Sequence, residues 1–290
     1  MSTYLSTIQQ ITYATIQSIK IVWNIRSIWK LGWYYARGTL SKKLPIFFAS
    51  HECDQILDVF QKNGPFFIKL GQWISQRPDL FPPYVIKRLA QLRDSAPKHP
   101  EDYTQMLLAK YNLPYRCRIP IASGSIAQIY KEYCPKTKKI LIIKIPHPNL
   151  ERILNQNSLV CKFFIEVLKR IGCNFLSVLN ISELLKDFLV QINMEQEARN
   201  ILSIRNGLRD LEMVHCPEVI FVRKDILVET FLEGTTYEEL VKTLTFEETK
   251  SLKKYTFALL MVMVYRNKLF HSDCHSGNIL YTHTPSARFP

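Results

Sequence analysis

The sequence predicts an α+β protein of two lobes, and three observations lead there. Residues 52–111 carry apolar side chains at helical spacing between frequent prolines. Residues 118–145 turn to a β pattern, and two further long helical stretches then precede a second strand pair and a return to helix. Helices grouped around a small antiparallel sheet, rather than a regular strand–helix alternation, are the signature of this class. With 290 residues, 47% of them hydrophobic, the chain can bury one large core or two lobes and is not a disordered one.

The first 51 residues contain no Asp or Glu but carry Lys20, Arg26, Lys30, Arg37, Lys42 and Lys43 among many Ser and Thr, the composition of a mitochondrial transit peptide. Trp23, Trp29, Trp33, Tyr34 and Tyr35 are interleaved with those cations, so the same stretch also suits a helix lying in an anionic membrane interface. Packing of residues 1–50 on the domain behind them is the third alternative. No uninterrupted apolar run of about 18 residues is present, which argues against a spanning helix.

From Glu52 to Tyr111 the apolar sets Ile56-Leu57-Phe60 and Phe67-Leu70-Ile74 predict a compact helical subdomain, punctuated by Pro65, Pro78, Pro82, Pro83, Pro97 and Pro100. Ile126 to Tyr133 alternates as a strand should, and Ile140 to Ile143 reads as a buried strand ending at Lys144. Helical stretches follow over about 149–171 and 183–207. Strands near Val219–Val222 and Asp225–Thr230 lead to Gly234 and further helix. The stretch Tyr255 to Tyr265 is apolar almost all round and predicts burial on several sides.

The formal charge of +13 suits an anionic partner: a membrane surface, nucleic acid or nucleotide phosphates. Nucleic acid has nothing but this bulk charge behind it, since neither a zinc-finger spacing nor an aromatic RNA-binding signature is present. The seven cysteines are scattered and never form a C-x-x-C pair, which argues against a disulfide framework or structural zinc and fits a reducing or neutral compartment.

The residues that point to chemistry come in a fixed order. Ala122-Ser123-Gly124-Ser125 opens a small-residue turn between two strand-like runs, where backbone amides can approach phosphate oxygens. Lys144 closes the next-but-one strand, the place where a kinase puts the lysine that contacts the α- and β-phosphates. Glu197, with Glu195 as its competitor on another side of the same helix, is the candidate for the glutamate paired with that lysine. In the segment 271–278, Asp273 is followed five residues later by Asn278, the spacing of a kinase catalytic loop. There the Asp orients or deprotonates the attacking hydroxyl and the Asn binds magnesium. The alternatives are turn residues, or His271, Cys274 and His275 as metal ligands, though no fourth ligand is spaced to join them.

With these parts in order the chain resembles the ABC1/ADCK/UbiB family of atypical kinases across roughly residues 50 to 281. Phe67-Ile68-Lys69-Leu70-Gly71-Gln72, continuing through Ser75-Gln76-Arg77-Pro78, is similar to the family's KxGQ signature, which ordinary kinases lack. The loop at 120–125 is similar to its alanine-rich loop, and 271–278 to its H-x-D-x-H-x-G-N catalytic loop. Gly71-Gln72-Trp73, the Ser-Gly loop and Gln191-Ile192-Asn193 resemble the ADCK2-like branch. The resemblance implies a protein-kinase-like two-lobed fold with an N-terminal helical KxGQ extension and a truncated C-terminal lobe. The expected layout is a basic segment over 1–50, the KxGQ extension over 51–115, a kinase-like N-lobe with inserted helices over 116–234, and the start of the C-lobe over 235–290. It further implies ATP or ADP with Mg2+ as cofactors, Glu229 and Phe231 beside the turn 122–125 and Lys144 as nucleotide-binding residues, and a small or lipid-like substrate. A mitochondrial inner-membrane location and a link to coenzyme Q or lipid metabolism complete the implied role.

Three departures qualify this expectation. Gln191 and Asn193 stand where much of the family has an E-x-D motif, so two negative charges are absent and a cation is attracted less strongly. Gly124 stands where many members have alanine, and glycine can adopt a positive φ. No Asp follows Asp273 before Pro290, so a D-F-G-type aspartate is missing from this stretch. A truncated product, an incomplete gene model or a degenerate paralogue, acting as a nucleotide-sensing pseudokinase or membrane scaffold, is therefore the alternative expectation.

Overall fold

The computed structural model describes residues 57–58, 60–79, 81, 83–93, 98–170, 180–266, 268 and 279–282. The basic N-terminal 51 residues and the segment 271–278, with Asp273 and Asn278, lie outside the described residues. The chain divides into two compact units, one formed by residues up to Tyr130 with Lys144–Asn193, the other by Lys131–Ile143 with Met194 onward.

In the first unit, helix α1 (Pro65–Ile74) starts on a proline, tolerated there because the first amides of a helix have no intrahelical partner. It is followed by α2 (Pro83–Leu89), a 3-10 turn (Ala90–Arg93) and α3 (Glu101–Lys110), whose first turn holds Glu101 and Asp102 against the positive end of the helix dipole. The core of this unit is apolar and aromatic. Phe66 is fully buried, its ring edge-on to Phe67 and Phe188 at centroid distances of 5.7 and 5.6 Å. The long α4 (Leu150–Arg170) and α5 (Ile181–Gln191) add Leu150, Leu154, Ile165, Leu184 and Phe188 to the same cluster. Asn180 caps α5 by accepting the Glu183 amide.

Strands β1 (Ala122–Ser123), β2 (Ala127–Cys134), β3 (Lys139–Pro146), β4 (Val219–Arg223) and β5 (Ile226–Thr230) form one sheet in the order β1-β2-β3-β5-β4. β1 pairs antiparallel to β2 with Ala122 opposite Ile129 and Ser123 opposite Gln128, and β4 pairs antiparallel to β5. The tight 135–138 turn between β2 and β3 places Lys138 in the left-handed region, at φ 55°. β3 is not buried on both sides as its Ile-Leu-Ile-Ile run suggests. Leu141, Ile143 and Ile145 are fully buried, whereas Ile140 is exposed and Ile142 and Lys144 only partly covered, so the strand alternates. It also runs two residues past Lys144, to Pro146.

In the second unit, α6 (Met194–Gly207) packs Met194 and Ala198 on Leu227 of β5. The helical stretch expected over 183–207 is thus two helices, α5 and α6. The break falls at Asn193, where the Met194 amide donates to the Lys224 carbonyl at 3.3 Å. A tertiary acceptor at the β4–β5 turn replaces the bond that helical continuity would have supplied, which no local propensity announces. Beyond β5 come β6 (Thr235–Thr236), α7 (Tyr237–Leu240), α8 (Phe246–Met261), a π turn (Val262–Arg266) and β7 (Leu280–Tyr281). Thr245 and Glu248 close a capping box at the start of α8, with the Thr245 amide donating to the Glu248 carboxylate at 2.8 Å. The burial on several sides expected of 255–265 is not seen: Phe257 and Tyr265 are 62% and 78% exposed, while Leu252 and Met263 are buried. Among the described residues, no helix is long and apolar enough to cross a membrane.

Candidate active site

The turn 122–127 is built by its own backbone. The Gly124 amide donates to the Ala127 carbonyl at 2.9 Å, the Ile121 amide to Ile129 at 2.8 Å, and the His147 amide to Ile126 at 2.9 Å. An added Cβ at Gly124 would meet nothing nearer than the Ala127 carbonyl at 3.7 Å, and Gly124 does not occupy the left-handed region. The positive φ that glycine can adopt is therefore not used here. What it contributes is open space above a turn whose first two residues, Ala122 and Ser123, are the short strand β1; Ser125, on the other side of the glycine, is buried.

Lys144 lies on β3 in the first unit, half-buried on the face opposite Leu141, Ile143 and Ile145. Three residues later His147 leaves the strand between two prolines, and its ring reaches back to the turn: Nε2 donates to the Gly124 carbonyl at 2.9 Å. His147 Nδ1 is 3.0 Å from Nδ1 of His99, whose Nε2 is 2.9 Å from the Thr104 hydroxyl on α3. Thr104 meets the Tyr130 hydroxyl at 2.8 Å, Gln128 Nε2 donates to that hydroxyl at 2.8 Å, and Gln128 Oε1 accepts the His99 amide. His99, Thr104, Gln128 and Tyr130 are all buried. Burial, and secondarily the neighbouring His147, pushes His99 down to about 4; burial also lowers His147, partly countered by its bond to Gly124. Both rings are therefore neutral near pH 7. Nothing in the sequence marks this set, because its two histidines lie 48 residues apart and each looks locally like a loop residue beside proline.

The KxGQ residues sit on α1. A Cβ at Gly71 would come 2.8 Å from Phe60 Cδ1 and closer still to Leu92 Cδ1, so the glycine allows the 3-10 turn to seat against the helix. Gln72 locks that contact by donating to the Leu92 carbonyl at 3.0 Å. Lys69 is half-buried on the same helix. Gln191 ends α5 and Asn193 occupies the break before α6.

In the second unit, Glu195 and Glu197 are in the first turn of α6, on either edge of the buried stripe made by Met194, Ala198 and Ile201. Glu229 is buried at 6% exposure on β5. Phe231 follows that strand. Its amide donates to the Ile140 carbonyl at 3.0 Å, and the Lys131 ammonium sits 3.7 Å above its ring centroid. Gly234 lies against β7, where a Cβ would come 2.7 Å from that of Leu280. The pairing of β7 with β6 and the 2.9 Å bond between the Tyr281 and Thr256 hydroxyls fix the residues that follow the segment 271–278. The strand expected directly after that segment is thus present. The turn residues and Lys144 share one unit, while Glu197, Glu229 and Phe231 belong to the other.

Residues 114–289 match the model of the ABC1 atypical kinase-like domain. A probable serine/threonine-protein kinase, abkC, of Dictyostelium discoideum is 28% identical over 237 residues, covering 78% of this chain and 34% of that protein. A probable protein kinase UbiB of Aeromonas hydrophila is 26% identical over 244 residues, covering 77% of this chain and 43% of its own length. The chain thus spans about a third to two fifths of these curated relatives. Among solved structures, Rv3197 of Mycobacterium tuberculosis, determined in complex with erythromycin, shares the fold at a TM-score of 0.53 and 22% identity, over 73% of this chain and 56% of that one. Because the domain model spans most of the chain, including the turn, Lys144, Glu197 and the segment 271–278, the protein belongs to the ABC1 atypical kinase-like family.

Proposed function

We propose that the chain is the nucleotide-handling part of an ATP-dependent phosphotransferase or ATPase that acts on a small or lipid-like acceptor. The observation that carries the proposal is the turn 122–127, open above Gly124 and followed by Lys144 on β3, inside the stretch matched by the family model. The residues present suit a nucleotide. Backbone amides flanked by small side chains can come close to phosphate oxygens, and a half-buried lysine supplies the charge to hold them. ATP with Mg2+, when bound, supplies a transferable phosphoryl group. The turn would cradle the phosphates, Lys144 would hold the α- and β-phosphate oxygens, and Glu197 takes the part of the family's helix glutamate. Glu229 and Phe231 are proposed beside the base. Asp273 would orient the acceptor hydroxyl and take its proton, and Asn278 would hold the metal. Gln191 and Asn193, being uncharged, leave the metal less strongly attracted than carboxylates would.

The test is nucleotide binding and turnover by the full chain. Mg2+-dependent ATP or ADP affinity should fall at least about tenfold in Lys144→Ala, the loss of one charge-assisted phosphate contact. Phosphate release or transfer should vanish in Asp273→Asn with binding retained. Turnover indifferent to Asp273→Asn would sink the mechanism, and binding with no turnover in the unmodified chain would leave the pseudokinase alternative. The resemblance also supports a mitochondrial, inner-membrane-associated role linked to coenzyme Q or lipid metabolism and, within the family, the ADCK2-like branch. For the membrane, the basic aromatic stretch within residues 1–43 predicts co-sedimentation with anionic vesicles that weakens with salt and on deleting that stretch.

A further inference from the structure

The buried polar chain behind the turn has one consistent proton arrangement. A carbonyl can only accept, so His147 must donate from Nε2 to Gly124, and a neutral His147 then has only a lone pair at Nδ1. His99 must therefore donate from its own Nδ1, which leaves its Nε2 as an acceptor. Thr104 fills that acceptor with its hydroxyl proton, Tyr130 donates to Thr104, and Gln128 donates to Tyr130. All five donors are aligned toward the Gly124 carbonyl. Each link fixes the next because His99, Thr104, Gln128 and Tyr130 are buried and must satisfy their polar atoms within the set, with the half-buried His147 at its end. The His99 amide, held by Gln128 Oε1, closes the set.

We propose that His147, held in its tautomer by His99, is a positioning residue that sets the Gly124 peptide of the nucleotide turn, so that the amides around it are presented to phosphate in one orientation. The proposal rests on the assignment of 122–127 as the nucleotide turn. His147 grips the turn twice, by its ring at Gly124 and by its amide at Ile126, and it stands three residues from Lys144 on the same run of chain. One short segment thus registers the turn against the proposed phosphate-binding lysine. The polar chain also ties the turn to α3, which precedes the sheet.

Two measurements on the full chain test this. In the first, two-bond 1H–15N correlation spectra of histidine-labelled protein near neutral pH report the tautomers, with His99→Leu and His147→Leu serving only to assign peaks. His99 should be protonated at Nδ1, the form less favoured in free imidazole side chains, and His147 at Nε2. The opposite pair, or exchange between tautomers at either ring, would overturn the proposal, and the result needs no variant to fold well. In the second, MgADP affinity is compared with that of Lys144→Ala. His147→Leu should weaken binding about tenfold, the loss of one partly buried orienting hydrogen bond. His147→Gln, which keeps a donor at the reach of Nε2, should recover most of it. Unmodified affinity in a folded His147→Leu chain would overturn the positioning role while leaving the nucleotide site standing. No MgADP binding by the unmodified chain would instead remove the site assignment, and the histidines' role with it.

Discussion

Two glycines, Gly71 on α1 and Gly124 in the turn, belong to two of the segments by which the family resemblance is carried, yet packing treats them in opposite ways. Gly71 is jammed: Leu92 and Phe60, both buried, occupy the space a side chain would need. Gly124 is open, and what restrains it is a hydrogen bond to its carbonyl from a half-buried histidine. The first segment is held by apolar shape, the second by directed polar contacts. Shape tolerates pH and salt but not volume. A hydrogen-bonded restraint tolerates volume but depends on which ring nitrogens carry protons.

The largest effect should therefore come from adding one methyl group to the apolar clamp. Gly71→Ala gains up to about 1 kcal/mol of helix propensity but overpacks a buried contact, which costs about 1–3 kcal/mol. Leu92 cannot retreat easily, since Gln72 holds its carbonyl and the side chain is only 1% exposed. A net destabilisation of about 1–2 kcal/mol is expected from the urea midpoint, unchanged between neutral and mildly acid pH. A midpoint equal to the unmodified chain would show that shape does not govern this clamp.

How much of this contrast was legible in the sequence follows the same division. The order of helices and strands was readable because it depends on local spacing, as in Phe67-Leu70-Ile74 or the alternation through Ile126–Tyr133. The KxGQ and turn segments were recognisable because their residues are neighbours in the chain. The break at Asn193 was not, because its cause is the carbonyl of Lys224, thirty residues further on. The exposure of Phe257 and Tyr265 was not, because apolar composition says what a helix can bury and not what lies beside it. The His99–His147 contact was invisible for the first reason: it joins the segment before α3 to the end of β3. The roles assigned to Asp273 and Asn278 stand on spacing and resemblance.

A smaller effect, and one confined to the polar clamp, should appear on acidification. His99 is held down to about 4 when folded, against about 6.5 in the unfolded chain, so the unfolded state binds more protons between those values. Stability is then fully present above about pH 6.5 and falls as pH drops toward about 4, with His147 shifted in the same direction. The groups around the pair are the Tyr103 ring, edge-on to His99 at 5.2 Å, and Tyr130, which in turn feels Cys117 and Glu101. One proton would give about 1.4 kcal/mol per pH unit, and solvent reaching the site reduces this to less than about 1. Urea midpoints at about pH 7.5 and about pH 5 should differ in the unmodified chain and differ less in His99→Gln. Equal acid sensitivity in the two would assign the loss to other groups.

The smallest effect on stability should come from Gly124→Ala, and here the comparison is sharpest. A Cβ at position 124 finds its nearest neighbour at 3.7 Å, an ordinary contact, and no left-handed backbone has to be surrendered. The change should move stability by no more than about 0.5 kcal/mol, the range of a substitution that touches nothing. It places a methyl group in the open space above the turn, so its effect, if the turn receives phosphate, must fall on nucleotide binding instead. The expected pattern is an unchanged urea midpoint with a changed MgADP affinity, the reverse of Gly71→Ala. If Gly124→Ala altered the midpoint and left the MgADP affinity untouched, the turn would be a structural corner like the one at Gly71, and the His147 bond would hold a fold rather than a site.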